Sequence, residues 1–175
     1  MDRIIVGVGD CRVAAVPGQV LSTYALGSCI ALAGYDPVAR VGALLHFMLP
    51  DSALDPGLAE ENPYVFADTG IPLLLRQIMG SGGIQNRLIL CAAGAANVVD
   101  PMRTFDIGKR NYLAMRRLLW KAGVFLHAEA VGGAASRSLH LEIGAGKLWL
   151  NEAGEQRELA AWNSRKGAPL WPTVF

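Results

Sequence analysis

Val41 to Leu49 is a near-continuous apolar run of strand length, broken only by Gly42 and His46. A strand with no polar face belongs where it is covered on both sides, so layers on either side of this segment are expected. Further short runs rich in β-branched residues precede it: Arg3 to Val8, Arg12 to Val16, Gly18 to Tyr24 and Ser28 to Tyr35. Gly7, Gly9 and Asp10 mark a turn between the first two, which predicts a tight meander, and Asp36-Pro37 breaks the chain ahead of Val41.

The second half mixes helices and strands. Leu73 to Met79 reads as a helix, with Asp68 as its N-cap acceptor and Pro72 near the first turn, and Gly80 to Gly83 ends it. Arg87 to Ala93 is a buried strand by composition, and the small residues Ala92 to Ala96 permit close backbone approach. Asn111 to Lys121 is amphipathic with a basic polar face, closed by Gly123. Val124 to Val131, Arg137 to Ile143 and Lys147 to Leu150 follow as strands, the last two joined by a turn at Gly144 to Gly146. Strands in runs with two main helices between them predict an α+β fold of mostly antiparallel sheets. At 175 residues the chain is one domain, read as a folded region over 1–150 and a polar C-terminal tail over 151–175. Residues 50–63 are long for a structureless connection, and so either mobile or functional.

Apolar residues make up 52% of the chain, yet no run approaches the roughly 18 residues of a membrane span. The N-terminus lacks the features of a secretory signal, so a cytoplasmic protein without membrane insertion is expected. A net charge of +1 gives no field for nucleic acid. Charge is instead segregated: residues 50–68 carry −5, and residues 101–121 carry +5. Each block is either a solvated face or a docking surface.

Three cysteines without a C-x-x-C pair indicate neither a disulfide framework nor a zinc site, and no cofactor is expected. The third glycine of a dinucleotide fingerprint, G-K-[ST], G-x-S-x-G and H-E-x-x-H are all missing. Cys29 remains, in the segment Thr23-Tyr24-Ala25-Leu26-Gly27-Ser28-Cys29. Gly27 permits an unusual turn there, and the N–H groups around Ser28 and Cys29 then converge on a developing oxyanion. A thiol needs a partner such as histidine to react at neutral pH. His46 lies inside the apolar run, where its imidazole needs a partner of its own. His127 and His140 alternate with apolar residues and share their faces with glutamates, which predicts exposed strand positions. From the residues alone, Cys29 with His46 is either a catalytic dyad or an inert buried thiol beside a satisfied core histidine, and Cys11 and Cys91 take the inert reading.

Taken together, Leu21 to Leu32, Tyr35-Asp36-Pro37, His46-Phe47-Met48-Leu49-Pro50, Ile107 to Asn111 and Gly132 to Arg137 resemble the chemoreceptor glutamine deamidase family, CheD. The resemblance covers roughly residues 3–150. It implies a layered α/β/β sandwich and a cysteine amidase that converts glutamines of methyl-accepting chemotaxis receptors to glutamate. It further implies Cys29 as nucleophile, His46 as its base and Thr23 as the third member of the site. A CheC-type phosphatase is an implied partner. A thiol-dependent receptor methylesterase, and a module that regulates phosphatase or receptor without turnover, stand as alternatives.

Overall fold

The structure, a computed structural model, describes residues 2–97 and 106–161. In chain order the strands are β1 (Asp2–Ile5), β2 (Asp10–Ala14), β3 (Gln19–Leu26), β4 (Ile30–Asp36) and β5 (Val41–Phe47). Helices α1 (Pro56–Glu61) and α2 (Ala67–Gly80) come next, then β6 (Ile89–Gly94) and helix α3 (Ile107–Ala122). Strands β7 (Leu126–Val131), β8 (Arg137–Glu142), β9 (Lys147–Glu152) and β10 (Glu155–Ala161) complete the described chain.

Two five-stranded sheets face each other, one in the order β1-β3-β8-β9-β10 and the other β2-β5-β4-β6-β7. Only β1 with β3 and β6 with β7 pair in parallel among the described strands. Helices α2 and α3 cover the free face of the second sheet. One apolar core lies beneath them, built on Leu45, Phe47, Ile71, Leu74 and Met115. The other fills the space between the sheets, with Leu21, Leu44, Leu139 and Leu141. The fold is therefore α+β, layered helix, sheet, sheet. Every residue of β5 is buried, as its lack of a polar face requires. Among the described residues no helix is long and apolar enough to cross a membrane.

Several expectations are corrected. β1 and β2 do not form a meander: the turn at Gly7 to Gly9 carries the chain from one sheet to the other, and β1 instead pairs in parallel with β3. Helix α2 begins at Ala67 without a side-chain cap. Asp68 is turned back instead, where it accepts from the backbone N–H and hydroxyl of Ser52 at 2.9 and 2.6 Å. Residues 50–63 are ordered into α1 and two short 3-10 turns, capped in succession by Asp51, Asp55 and Asn62. Two of the five acidic residues of that block are thus consumed in capping. Helix α3 starts four residues before Asn111, where Asp106 caps it by accepting from the Lys109 N–H at 3.0 Å. The sheet continues past residue 150: β9 runs to Glu152 and β10 pairs with it antiparallel as far as Ala161. The rest of the expected tail, 162–175, lies outside the described residues, as does 101–105 of the basic block.

Candidate active site

The site forms where β3 gives way to β4. Between Thr23 and Leu26 the β3–β8 register slips by one residue, a bulge in which Ala25 takes a left-handed conformation (φ 56). The strain falls on Ala25 and not on Gly27, where the sequence suggested it. The bulge turns the chain into Gly27-Ser28-Cys29, which feeds β4. All three carbonyls of this turn are anchored. Gly27 and Cys29 accept from the N–H groups of Ala96 and Ala95, each at 2.8 Å. Ser28 accepts from Asn111 Nδ2 of α3 at 3.0 Å.

The close approach foreseen at Ala92 to Ala96 is real, and it depends on Gly94. A Cβ there would lie 2.1 Å from the Cys29 carbonyl oxygen, at a φ of +118 that side chains rarely adopt. Arg137 braces the same corner by donating to the carbonyls of Gly94 and Gly132 at 3.3 and 2.7 Å, while Glu152 neutralises it at 2.6 Å.

His46 pairs with Ala31 in the sheet register. Ala31 belongs to the core between the sheets, so the imidazole enters that layer too. There Nδ1 meets Thr23 Oγ1, from the opposing sheet, at 2.9 Å. Nε2 is buried and makes no hydrogen bond among the described residues. Cys29 stands two positions before Ala31, a diagonal step from His46. It is half-buried, unlike fully buried Cys11 and Cys91. Thr23 and His46 are therefore in direct contact, Cys29 lies that diagonal step away by register, and no hydrogen bond joins Cys29 to His46 among the described residues.

Burial dominates the electrostatics. It lowers the His46 pKa to about 4, so the ring is neutral near pH 7. It raises the Cys29 pKa above its ordinary 9.0, while the residue's own backbone N–H, donated to the sulfur, pulls the other way. At rest the pair is a neutral thiol and a neutral imidazole. Burial pushes Cys11 and Cys91 up to about 12, and Cys11 donates to Gln77 Oε1 at 3.5 Å. Both are inert by environment.

The remaining histidines differ from expectation. His140 is only 2% exposed, because the outward face of its sheet carries its own cover. Its ring stacks on Trp149, meets Tyr24 edge-on and holds Ser22 Oγ at 2.9 Å. Alternation identified the correct face but not the neighbours that shield it. His127 is half-buried, and its Nδ1 accepts from the Leu90 N–H at 3.1 Å.

Asn111 and Arg137 were not singled out from sequence, although both lie in segments that carried the family resemblance. The available signal was a polar residue on the apolar face of α3, fully buried here.

Comparison with known proteins identifies the family. The family profile described as CheD chemotactic sensory transduction matches residues 48–152. The chain belongs to the CheD family. A protein of Solibacter usitatus named "Probable chemoreceptor glutamine deamidase CheD" is 60% identical over 95% of this chain and 99% of its own length. A relative from Syntrophus aciditrophicus, named as CheD 1 of the same kind, is 44% identical over 88% of this chain and 96% of its own. An archaeal CheD protein from Pyrococcus horikoshii is 36% identical over 89% of this chain and 95% of its own. The profile begins just beyond His46, whereas the Solibacter alignment extends over nearly the whole chain.

Proposed function

We propose that this protein is a chemoreceptor glutamine deamidase in which Cys29 is the nucleophile, His46 the base and Thr23 the group that orients it. The observation that carries the reading is the buried Thr23–His46 contact, which occupies Nδ1 and leaves Nε2 without a hydrogen bond among the described residues. With Nδ1–H donated to Thr23 Oγ1, Nε2 holds the lone pair a base needs.

Nε2 takes the thiol proton as sulfur attacks the glutamine carboxamide carbon. The carbon–sulfur bond forms and the carbonyl electrons move onto oxygen, which backbone N–H groups of the Gly27 to Cys29 turn hold. Collapse of this intermediate breaks the carbon–nitrogen bond, and the imidazolium gives its proton to the departing nitrogen as ammonia. Water then attacks the thioester, losing a proton to Nε2. The thiolate leaves and recovers that proton, and glutamate is released. One water is consumed per ammonia formed, with no oxidant, metal or cofactor required.

The receptor contact is assigned to the exposed ridge of α3. Leu113 and Trp120 are exposed there beside Lys109, Arg110, Arg117 and Lys121, none of which has an acidic partner among the described residues. Phe125 extends the ridge, packing edge-on against Trp120 at 6.0 Å. A CheC-type phosphatase as second partner rests on the family resemblance alone.

The test is mass spectrometry of a purified receptor cytoplasmic fragment after incubation with the protein or its Cys29→Ala variant. Glutamine-to-glutamate conversion by the parent alone supports the assignment. Binding without conversion by either would favour the regulatory module, and demethylation of methyl-glutamate in place of deamidation would favour the methylesterase.

A further inference from the structure

One side chain joins the two halves of the site, and the steps above leave it unused. Asn111 lies in the second turn of α3, wholly buried. Its Nδ2 donates to the Ser28 carbonyl at 3.0 Å and to the Met48 carbonyl at 2.8 Å. Ser28 immediately precedes Cys29, and Met48 follows His46 by two residues. A single carboxamide thus spans the turn that carries the thiol and the strand end that carries the imidazole. The other two carbonyls of the turn are held by backbone N–H groups, so Asn111 is the one side chain anchoring it among the described residues.

The direction of that anchor matters. In a planar trans peptide the C=O and N–H point to opposite sides. Drawing the Ser28 carbonyl inward to Asn111 therefore turns the Cys29 N–H, which belongs to the same peptide and the same residue as the thiol, away from α3. A donor beside the sulfur is also beside the carbonyl that the sulfur attacks. The carboxamide is held through its donors alone, since Asn111 Oδ1 is buried with no hydrogen-bond partner among the described residues.

We propose that Asn111 is a positioning residue: its carboxamide fixes the Ser28–Cys29 peptide plane so that the Cys29 N–H faces the reacting centre as an oxyanion donor, and it fixes the spacing between Cys29 and His46. The oxyanion role rests on the deamidase reading, whereas the clamp on the peptide plane does not.

Asn111→Ala and Asn111→Ser, each confirmed folded by circular dichroism, test the proposal through two readouts. Deamidation of the receptor fragment should lose about a hundredfold in kcat, with KM within about threefold. Iodoacetamide alkylation of Cys29 at pH 8 should slow by about tenfold, because the thiolate loses its N–H donor. Simple loosening of the turn would expose the thiol and speed alkylation, so the direction of change separates positioning from a merely structural role. Alkylation as fast as in the parent, or kcat within about threefold, overturns the proposal. Failure of the parent itself to deamidate would sink the enzymatic reading and the oxyanion role with it, while alkylation still decides the clamp. If neither variant folds, hydrogen exchange of the Asn111 side-chain amide in the unaltered protein decides. Exchange only through global unfolding supports the clamp, and exchange orders of magnitude faster overturns it.

Discussion

Thr23 and His46 meet across the gap between the two sheets, Oγ1 to Nδ1, at 2.9 Å. Both are buried, so the contact has no water to replace it. Thr23→Val keeps the shape and removes the hydroxyl, leaving a ring nitrogen unpaired at about 1–3 kcal/mol and freeing the imidazole to turn. Deamidation should fall by at least about tenfold, while Thr23→Ser should stay within about threefold of the parent. Equal kcat for all three proteins would show that Thr23 does not orient the base.

Cys29 and His46 are both neutral at rest, because burial raises the thiol pKa and lowers that of the imidazole to about 4. Alkylation of Cys29 should accordingly be slow at pH 7 and climb with an inflection above 9. A fast plateau across pH 5–8, the signature of a preformed thiolate–imidazolium pair, would contradict a base that acts only as sulfur attacks.

His46 and His140 are each held near pKa 4 against an ordinary 6.5. Between those values the unfolded chain binds protons that the folded chain does not, so stability rises with pH there. It is fully present above 6.5 and lost as pH falls through 4. Two such groups give a slope of up to about 2.7 kcal/mol per pH unit. Urea unfolding of His46→Gln should lose about half of it, and an unchanged slope would mean that His46 is already charged in the fold.

The basic ridge of α3 predicts a salt-sensitive receptor contact. Reversing Arg116 and Arg117 to glutamate should weaken binding of the receptor fragment most at low salt, with the difference from the parent shrinking as salt rises. Arg116 already lies 3.7 Å from Glu129, so Arg117 should carry more of the effect. Equal affinities at every ionic strength would place the receptor on another surface.

The α+β layering was legible because it follows from local rules: β5 has no polar face, α3 has one apolar stripe, and Gly144 to Gly146 fits only a turn. What sequence left unread is long-range. Which sheet β1 joins is decided by partners that no local pattern names, and His140 was misjudged for the same reason. Cys29, His46 and Thr23 could be nominated by residue type and family likeness. Asn111 could not be nominated by residue type alone, because its Nδ2 donates to two carbonyls in segments 83 and 63 residues away.

The final hairpin has a bearing on self-association. β10 is the outermost strand of its sheet, and it presents Glu155, Gln156, Arg157 and Glu158 to solvent. Charged residues on an edge discourage pairing with a neighbouring chain. A polypeptide cut at residue 150 would end inside β9 and lose that charged border. Leu148, Trp149 and Leu150 would then stand on an open edge whose backbone donors and acceptors invite another molecule. The eleven residues from Asn151 to Ala161 thus keep the sheet finite.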